Sequence, residues 1–377
     1  GDEPVMLNVV HVDLYFFFDI DIAILALEVA ADDIAFATAQ NLMFRFGRAY
    51  PAYWEPEDGR GGHCPWKVEW LAADGRVLAE SDYENCSKFL AFVCRHRAPT
   101  TAAHWEFLMS PLVLHHTDAK GPVRYRQLEY YRMPYMAYLA LDRAEALSRS
   151  DSIRLALGNE AGADATLPYS ETYLSDFESR YCYDRNFVSG QGAANVRFHA
   201  SGDTLVVTGD ASDGFFTSLD SGILSRFRHQ HFLLFMIAHF QRAGLLMFSD
   251  RLVAAVRAAH ENFLRFTHRY WFENISHQAQ VRELFAMTRN HLQLDNLFRE
   301  VREELQDMGN LLEGEAMRKQ NDTVVRLTVV TTFGLIGTVT TGFIGMNIFD
   351  WTEQPAWWRV AAFLTVFVPT ALLTLYT

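Results

Sequence analysis

Residues 321–348 read NDTVVRLTVVTTFGLIGTVTTGFIGMNI, and from Leu327 to Ile348 the only polar side chains are threonines and one asparagine. A helix of about 20 such residues spans the hydrocarbon core of a bilayer. A second stretch, Trp357 to Tyr376, is apolar apart from Arg359 and its threonines. Two helices of a soluble core are the competing account, but two adjacent runs of bilayer length favour two transmembrane spans. Trp351, Trp357, Trp358 and Tyr376 stand where interfacial aromatic belts lie.

Working outward, Arg318, Lys319 and Arg326 precede the first span, while the connecting loop carries Asp350 and Glu353. Basic flanks stay on the cytoplasmic side, so the large N-terminal region is expected inside, with the C-terminus returning to the same side. The expected location is a bacterial-type inner (plasma) membrane, multi-pass. Nothing near Gly1 has the basic region, apolar run and small-residue site of a signal peptide, so the chain is expected to meet the membrane at its other end.

The remainder reads as a polar body. The chain has 377 residues, half of them hydrophobic, too many for one ordinary core. A formal charge of −13 argues against nucleic acid, whose binding depends on Lys and Arg displacing counterions. Cys64, Cys86, Cys94 and Cys182 lack the spacing of a structural zinc site and suit a reducing compartment. Gly158 to Gly162 lacks the Lys-Ser/Thr ending of a phosphate loop, Gly190 to Gly192 lacks the full dinucleotide pattern, and no nucleophile elbow is present. An enzyme is not expected, and no cofactor is called for.

Residues 1–220 mix strand and helix signals with turns such as Asp58-Gly59-Arg60-Gly61-Gly62 and Ser189-Gly190-Gln191-Gly192, which predicts an α/β cytoplasmic domain. Tyr15 to Val29 suits a strand near the start of a sheet, and Thr204 to Val207 another. From Leu219 about a hundred residues pass without proline, so 221–322 is expected to hold long stalk and bundle helices, with 323–377 as the transmembrane unit. Phe232, Leu233, Phe235, Met236 and Phe240 predict one apolar face, continued by Leu245, Leu246, Phe248, Leu252 and Val256. A break is expected at Phe272 to Ser276, with Asn274 or Ser276 as cap. Beyond it, Val281, Leu284, Leu292, Leu297, Val301, Leu305, Met308 and Leu312 predict a helix that continues into the first span, a rod of about 100 Å.

On that span Asn321, Val324, Thr328, Thr331, Leu335, Thr338, Gly342 and Gly345 follow three- and four-residue steps and so share one face. Val325, Val329, Phe333, Ile336 and Phe343 make the opposite face bulky. A stripe of small and mildly polar residues in lipid is either a helix contact or a wall facing water. Two helices cannot enclose an ion path, so transport requires a ring of copies, in which both readings hold together.

Gly345-Met346-Asn347 at the outer end of the first of two C-terminal spans resembles the signature of the CorA family of magnesium channels. The resemblance is clear over the membrane unit, good over the long helix, and only general in the N-terminal domain. It implies a homopentamer whose long helices form a CorA-like funnel and whose first spans surround the pore. It places Asn347 in the selectivity filter, with Glu353 in the acidic outer loop. Asn321 takes the inner end of the pore, and Thr328, Thr331, Thr338, Gly342 and Gly345 take pore-facing positions. Val324, Leu327 and Leu335 take hydrophobic constrictions. Mg²⁺ is the implied cargo, with Co²⁺ or Ni²⁺ as alternatives, because Met346 stands where zinc-associated relatives carry Ile. The family's proline in the first span is replaced by Ile336.

Family members close when intracellular magnesium binds acidic sites between subunits. Asp19, Asp21, Glu28, Asp32, Asp33, Glu303, Glu304 and Asp307 are the candidates here, ordinary solvated surface being the other account. His115-His116 and His229, His231 and His239 are poorly spaced for a metal. Arg228, His231 and Arg242 are expected to pack or pair within the helices. The alternative functions are a zinc or proton-coupled carrier of the same family, or a poorly conducting membrane structural protein.

Overall fold

The computed structural model describes residues 4–115, 117–128, 132–162, 166–184, 195–251, 256–346 and 355–376. Its contacts divide the chain into two compact units, Gly1–Glu303 and Glu304–Thr377. The first begins with β1 (Asn8–Phe17), β2 (Ile22–Ala30), α1 (Phe36–Arg45), β3 (Glu69–Leu71), β4 (Val77–Glu80), α2 (Cys86–His96) and α3 (Ala103–Met109). There follow β5 (Val113–Leu114), β6 (Arg124–Tyr125), β7 (Tyr135–Leu141), α4 (Arg149–Leu157), α5 (Glu171–Tyr181), β8 (Cys182–Tyr183), β9 (Arg197–Ala200) and β10 (Thr204–Asp210). Then come α6 (Gly214–Thr217), α7 (Ile223–Arg226), a π-turn over Phe227–His231, α8 (Phe232–Arg251), α9 (Val256–Tyr270) and α10 (Ala279–His291). The long helix α11 (Leu294–Gly345) and α12 (Ala356–Tyr376) complete the chain.

Strand β10 organises the first unit. Thr204 to Gly209 are all buried, the pattern of a strand covered on both faces. It pairs in parallel with β7 and antiparallel with β9, in a sheet ordered β7-β10-β9-β8. The expected strand at Thr204–Val207 is therefore present and longer. Side chains alternate between faces. Leu205 and Val207 join Leu234, Phe235 and Ala238 of α8 and Leu284 and Phe285 of α10 in the main core. Thr204, on the other face, donates its hydroxyl to the Ala156 carbonyl of α4 at 3.1 Å. Helices α8 and α10 thus share a core with the sheet.

Gly209 shows how tightly this core is closed. A Cβ there would lie 2.4 Å from a ring carbon of Phe216, which is fully buried and stacked on Tyr138 with centroids 4.4 Å apart. The ring has nowhere to step. Gly209→Ala is expected to destabilise the fold by about 1–3 kcal/mol, seen as a lower urea midpoint, and an unchanged midpoint would show that the ring can yield.

A satellite core gathers Trp70, Tyr83, Phe89 and Trp105 from β3, the β4–α2 connection, α2 and α3. Their polar tips are all spent: Trp105 Nε1 and the Tyr83 hydroxyl donate to the Arg48 carbonyl at 3.0 and 2.6 Å, and Trp70 Nε1 donates to the His104 carbonyl at 2.8 Å.

Two expectations change. Tyr15 to Val29 is not one strand but most of a β1–β2 hairpin, because the chain reverses at Phe18–Asp21 with Asp21 in the left-handed region at φ 53°. Nor does one helix run from Val281 into the first span: α10 ends at His291, Gln293 adopts φ 53°, and α11 starts at Leu294. Its 52 residues make a rod of about 78 Å rather than 100 Å. The expected break does occur after Tyr270, but Gln278 occupies the N-cap, and Ser276 instead accepts from the Gln278 N–H in the preceding turn. Of the apolar face on α8, Phe235, Phe240, Leu245 and Phe248 are buried and Leu233 is half exposed; Leu252 lies outside the described residues. The same holds for the Ser189–Gly192 turn, whereas Asp58–Gly62 does turn, with Gly59 at φ 68°.

Two helices among the described residues are long and apolar enough to cross a membrane, Ile223–Asp250 and Leu294–Gly342. Burial separates them. Half of the apolar window of the first is covered, it contributes Leu234 and Ala238 to the main core, and it carries a fully buried Gln241. That is a core helix. Only 6% of the second window is covered. Ala356–Leu372 of α12 is apolar but shorter.

Candidate functional site

The second unit consists of α11 from Glu304 onward and α12. Phe333 and Phe367 meet with ring centroids 6.4 Å apart, and a Cβ on Gly337 would lie 3.8 Å from a Phe367 ring carbon. Small residues permit this close approach of helices. Thr340, one step further along that face, is buried. Phe333, Gly337 and Thr340 therefore mark the face of α11 turned to its hairpin partner. Pro369 sits inside α12, whereas α11 remains helical through Ile336.

The stripe read from the sequence lies elsewhere on the helix. Asn321, Val324, Leu327, Thr328, Thr331, Leu335, Thr338, Gly342 and Gly345 are all exposed, as is Met346 just beyond the helix end. Asn347 and Glu353 lie outside the described residues, together with Asp350 and Trp351. Arg318, Lys319 and Arg326 are exposed below the apolar segment.

Each stripe threonine turns its hydroxyl back on its own helix. Thr328 donates to Val324 O at 2.8 Å, Thr331 to Leu327 O at 2.9 Å and Thr338 to Gly334 O at 2.8 Å. Such bonds let threonine sit in an apolar helix without an unpaired donor. What remains outward is the oxygen, which has two lone pairs. The stripe can thus accept hydrogen bonds from water.

The candidate regulatory acids do not form one group. Asp19, in the hairpin turn, accepts from the Tyr270 hydroxyl at 2.8 Å and from Arg269 at 2.6 Å, and these two bonds hold its carboxyl below the usual range. Glu28 is held by Arg228 at 2.6 Å and His11 at 2.8 Å. Asp32 and Asp33 follow β2, and Glu303, Glu304 and Asp307 are exposed on α11. Among the described residues no three His, Cys, Asp or Glu side chains converge as a metal site would require.

Of the basic residues expected to pack or pair, Arg228 does so with Glu28, and Arg242 donates to Leu292 O at 3.3 Å. His231 packs as well, edge-on to the Phe198 ring with centroids 5.3 Å apart. It is 1% exposed, both ring nitrogens lack a hydrogen-bond partner, and it lines a cavity of about 170 Å³. No sequence signal marks this placement, because the π-turn that presents the ring has no readable signature. His116 lies outside the described residues.

Comparison of the chain with protein-family models, with curated proteins and with solved structures finds no match.

Proposed function

We propose that this chain is one subunit of a homopentameric membrane channel for divalent cations, Mg²⁺ first and Co²⁺ or Ni²⁺ after it. The observation that carries the reading is the uncovered stripe of α11: the hairpin partner packs on Phe333 and Gly337, leaving Thr328, Thr331, Leu335 and Thr338 exposed. A polar stripe in lipid needs either another helix or water against it. Copies arranged in a ring supply both.

In that ring the first spans line the axis, with Asn321 at the inner end, Val324, Leu327 and Leu335 as apolar constrictions, and Gly342, Gly345 and Met346 near the outer end. The resemblance of Gly345-Met346-Asn347 to the magnesium-channel signature supports Asn347 as the selectivity ring and Glu353 as its acidic rim. Mg²⁺ dehydrates reluctantly and keeps several waters. Neutral carbonyl oxygens of an Asn ring accept hydrogen bonds from those waters and still release the ion. The threonine oxygens serve the same water shell deeper in the pore. The basic flank puts residues 1–303 in the cytoplasm.

The test is Mg²⁺ uptake into liposomes holding the purified full chain, with oligomeric state measured in mild detergent. Uptake above empty vesicles and five copies per particle are expected. Asn347→Ala removes an acceptor from every subunit and is expected to lower Mg²⁺ uptake at least about tenfold, the equivalent of one hydrogen bond. A monomer, absence of Mg²⁺ uptake, or full uptake with Asn347→Ala would overturn the reading; Zn²⁺ uptake that follows a pH gradient would instead favour a coupled carrier.

A further inference from the structure

The cavity beside His231 lies wholly within the first unit and is independent of the pore. Its walls come from four places: Phe198 on β9, Phe215 on α6, Ile223 and Arg226 on α7, and Gln280 in the first turn of α10, with His231 closing the π-turn. A volume of about 170 Å³ far exceeds the ~10–15 Å³ that one water needs. It falls below the ~300 Å³ where sites for drug-sized molecules begin. The space suits a single ring or a short branched chain.

The polar groups are unusual for a buried wall. The His231 ring is held edge-on to Phe198, centroids 5.3 Å apart and planes at 88°, yet neither nitrogen has a partner among the described residues. Burial first, and then the charge of Arg226, push its pKa down to about 4. At neutral pH it is therefore an uncharged imidazole with one N–H to give and one lone pair to receive. A buried donor left unspent is costly, and native interiors retain very few. The π-turn beneath it adds a second sign, because single π-turns inside helices are frequent at functional sites.

Arg226 supplies the charge. It is exposed at the cavity edge, its guanidinium 5.8 Å from the Phe215 ring centroid, and it makes no ion pair among the described residues. The cavity therefore offers one cation at its rim, one imidazole N–H within, an amide at Gln280, and apolar walls from Phe198, Phe215 and Ile223. We infer that this is a binding site for a small monocarboxylate carrying an aromatic or branched aliphatic body. The carboxylate bonds to the Arg226 guanidinium and the His231 N–H, and the body packs between Phe198 and Phe215. A planar carboxylate matches the guanidinium fork, and a single negative charge matches the single cation. Such a ligand would tie α7 and the π-turn to α10.

Sodium benzoate is the probe, titrated calorimetrically into the purified full chain in detergent, with benzamide as its neutral counterpart. Saturable binding of benzoate is expected, with benzamide at least about tenfold weaker for want of the charge-assisted bond. Arg226→Met changes an exposed side chain and leaves the core alone; it is expected to weaken benzoate at least about tenfold, with Arg226→Lys between it and the parent. His231→Phe is expected to weaken benzoate as well, and its thermal unfolding reports whether the fold survives. No saturable binding at millimolar benzoate, equal binding of benzamide, or undiminished binding by Arg226→Met would overturn the inference.

Discussion

Lowering the pH from 7 to 5 is expected to destabilise the first unit by several kcal/mol. Four histidines are responsible. His104 and His231 have both ring nitrogens unpartnered in the interior, His199 and His239 have one, and burial holds the pKa of the four at about 4, 4, 3 and 3. In the unfolded chain a histidine titrates near 6.5. Between about pH 6.5 and 4 the unfolded state therefore binds more protons than the folded one, and stability falls as the pH falls. Each histidine is worth of order 2 kcal/mol between pH 6.5 and 5, so together they rival the ~5–15 kcal/mol of a typical domain. Glu106 runs the other way, its carboxyl raised chiefly by burial, so its contribution is fully present below about pH 4.5 and lost as pH rises, but it is one group against four. Urea midpoints of the full chain in detergent at pH 7, 6 and 5 should decline steadily; a flat series would mean that the histidines find partners or water.

Arg289→Met is expected to remove about 3 kcal/mol. This side chain is 5% exposed, donates to Gln241 Oε1 at 2.8 Å and to Phe272 O at 2.9 Å, pairs with Asp295, and lies 4.6 Å from the centroid of the Trp271 ring. Gln241 in turn donates to Tyr270 O at 2.9 Å. One guanidinium thus joins α8, the end of α9, α10 and the first turn of α11. Removing it strands the Gln241 oxygen in the interior, which costs about 1–3 kcal/mol, and gives up hydrogen bonds from a charged donor, worth about 1.5–3 kcal/mol each. Asp295 is 64% exposed, so Asp295→Asn is expected to lower stability by less than about 1 kcal/mol. Equal urea midpoints for the two variants would show that the network is not what fixes the start of α11.

These two sites also show how far the sequence could be read. Arg289 lies on a helix that periodicity forecasts well, yet the end of that helix turns on Gln293 at positive φ, which a glutamine seldom adopts and no local pattern announces. The apolar positions continue in step across the break, so the pattern reads as one helix. The hairpin was closer to legible: Asp19 and Asp21 are turn-forming residues, but the aromatic run on either side spoke for a strand. Thr204–Val207 was readable because burial on both faces leaves little choice of side chain, and the apolar tail because its runs are long and nearly free of charge. The stripe on α11 was readable as a face by spacing alone, while its exposure depends on which face α12 takes, a matter of Gly337 meeting Phe367 that lies beyond sequence periodicity. His231 was unreadable because a π-turn and a cavity are properties of packing.

The hydroxyls of Thr328, Thr331 and Thr338 have a last consequence for the proposed pore. Their protons are committed to the carbonyls of Val324, Leu327 and Gly334, so along this stretch the wall presents lone pairs and no protons. Chloride, which must be solvated by donors, would find none there. Discrimination by sign of charge then requires no charged side chain in the apolar segment, only threonines whose hydrogens already point inward.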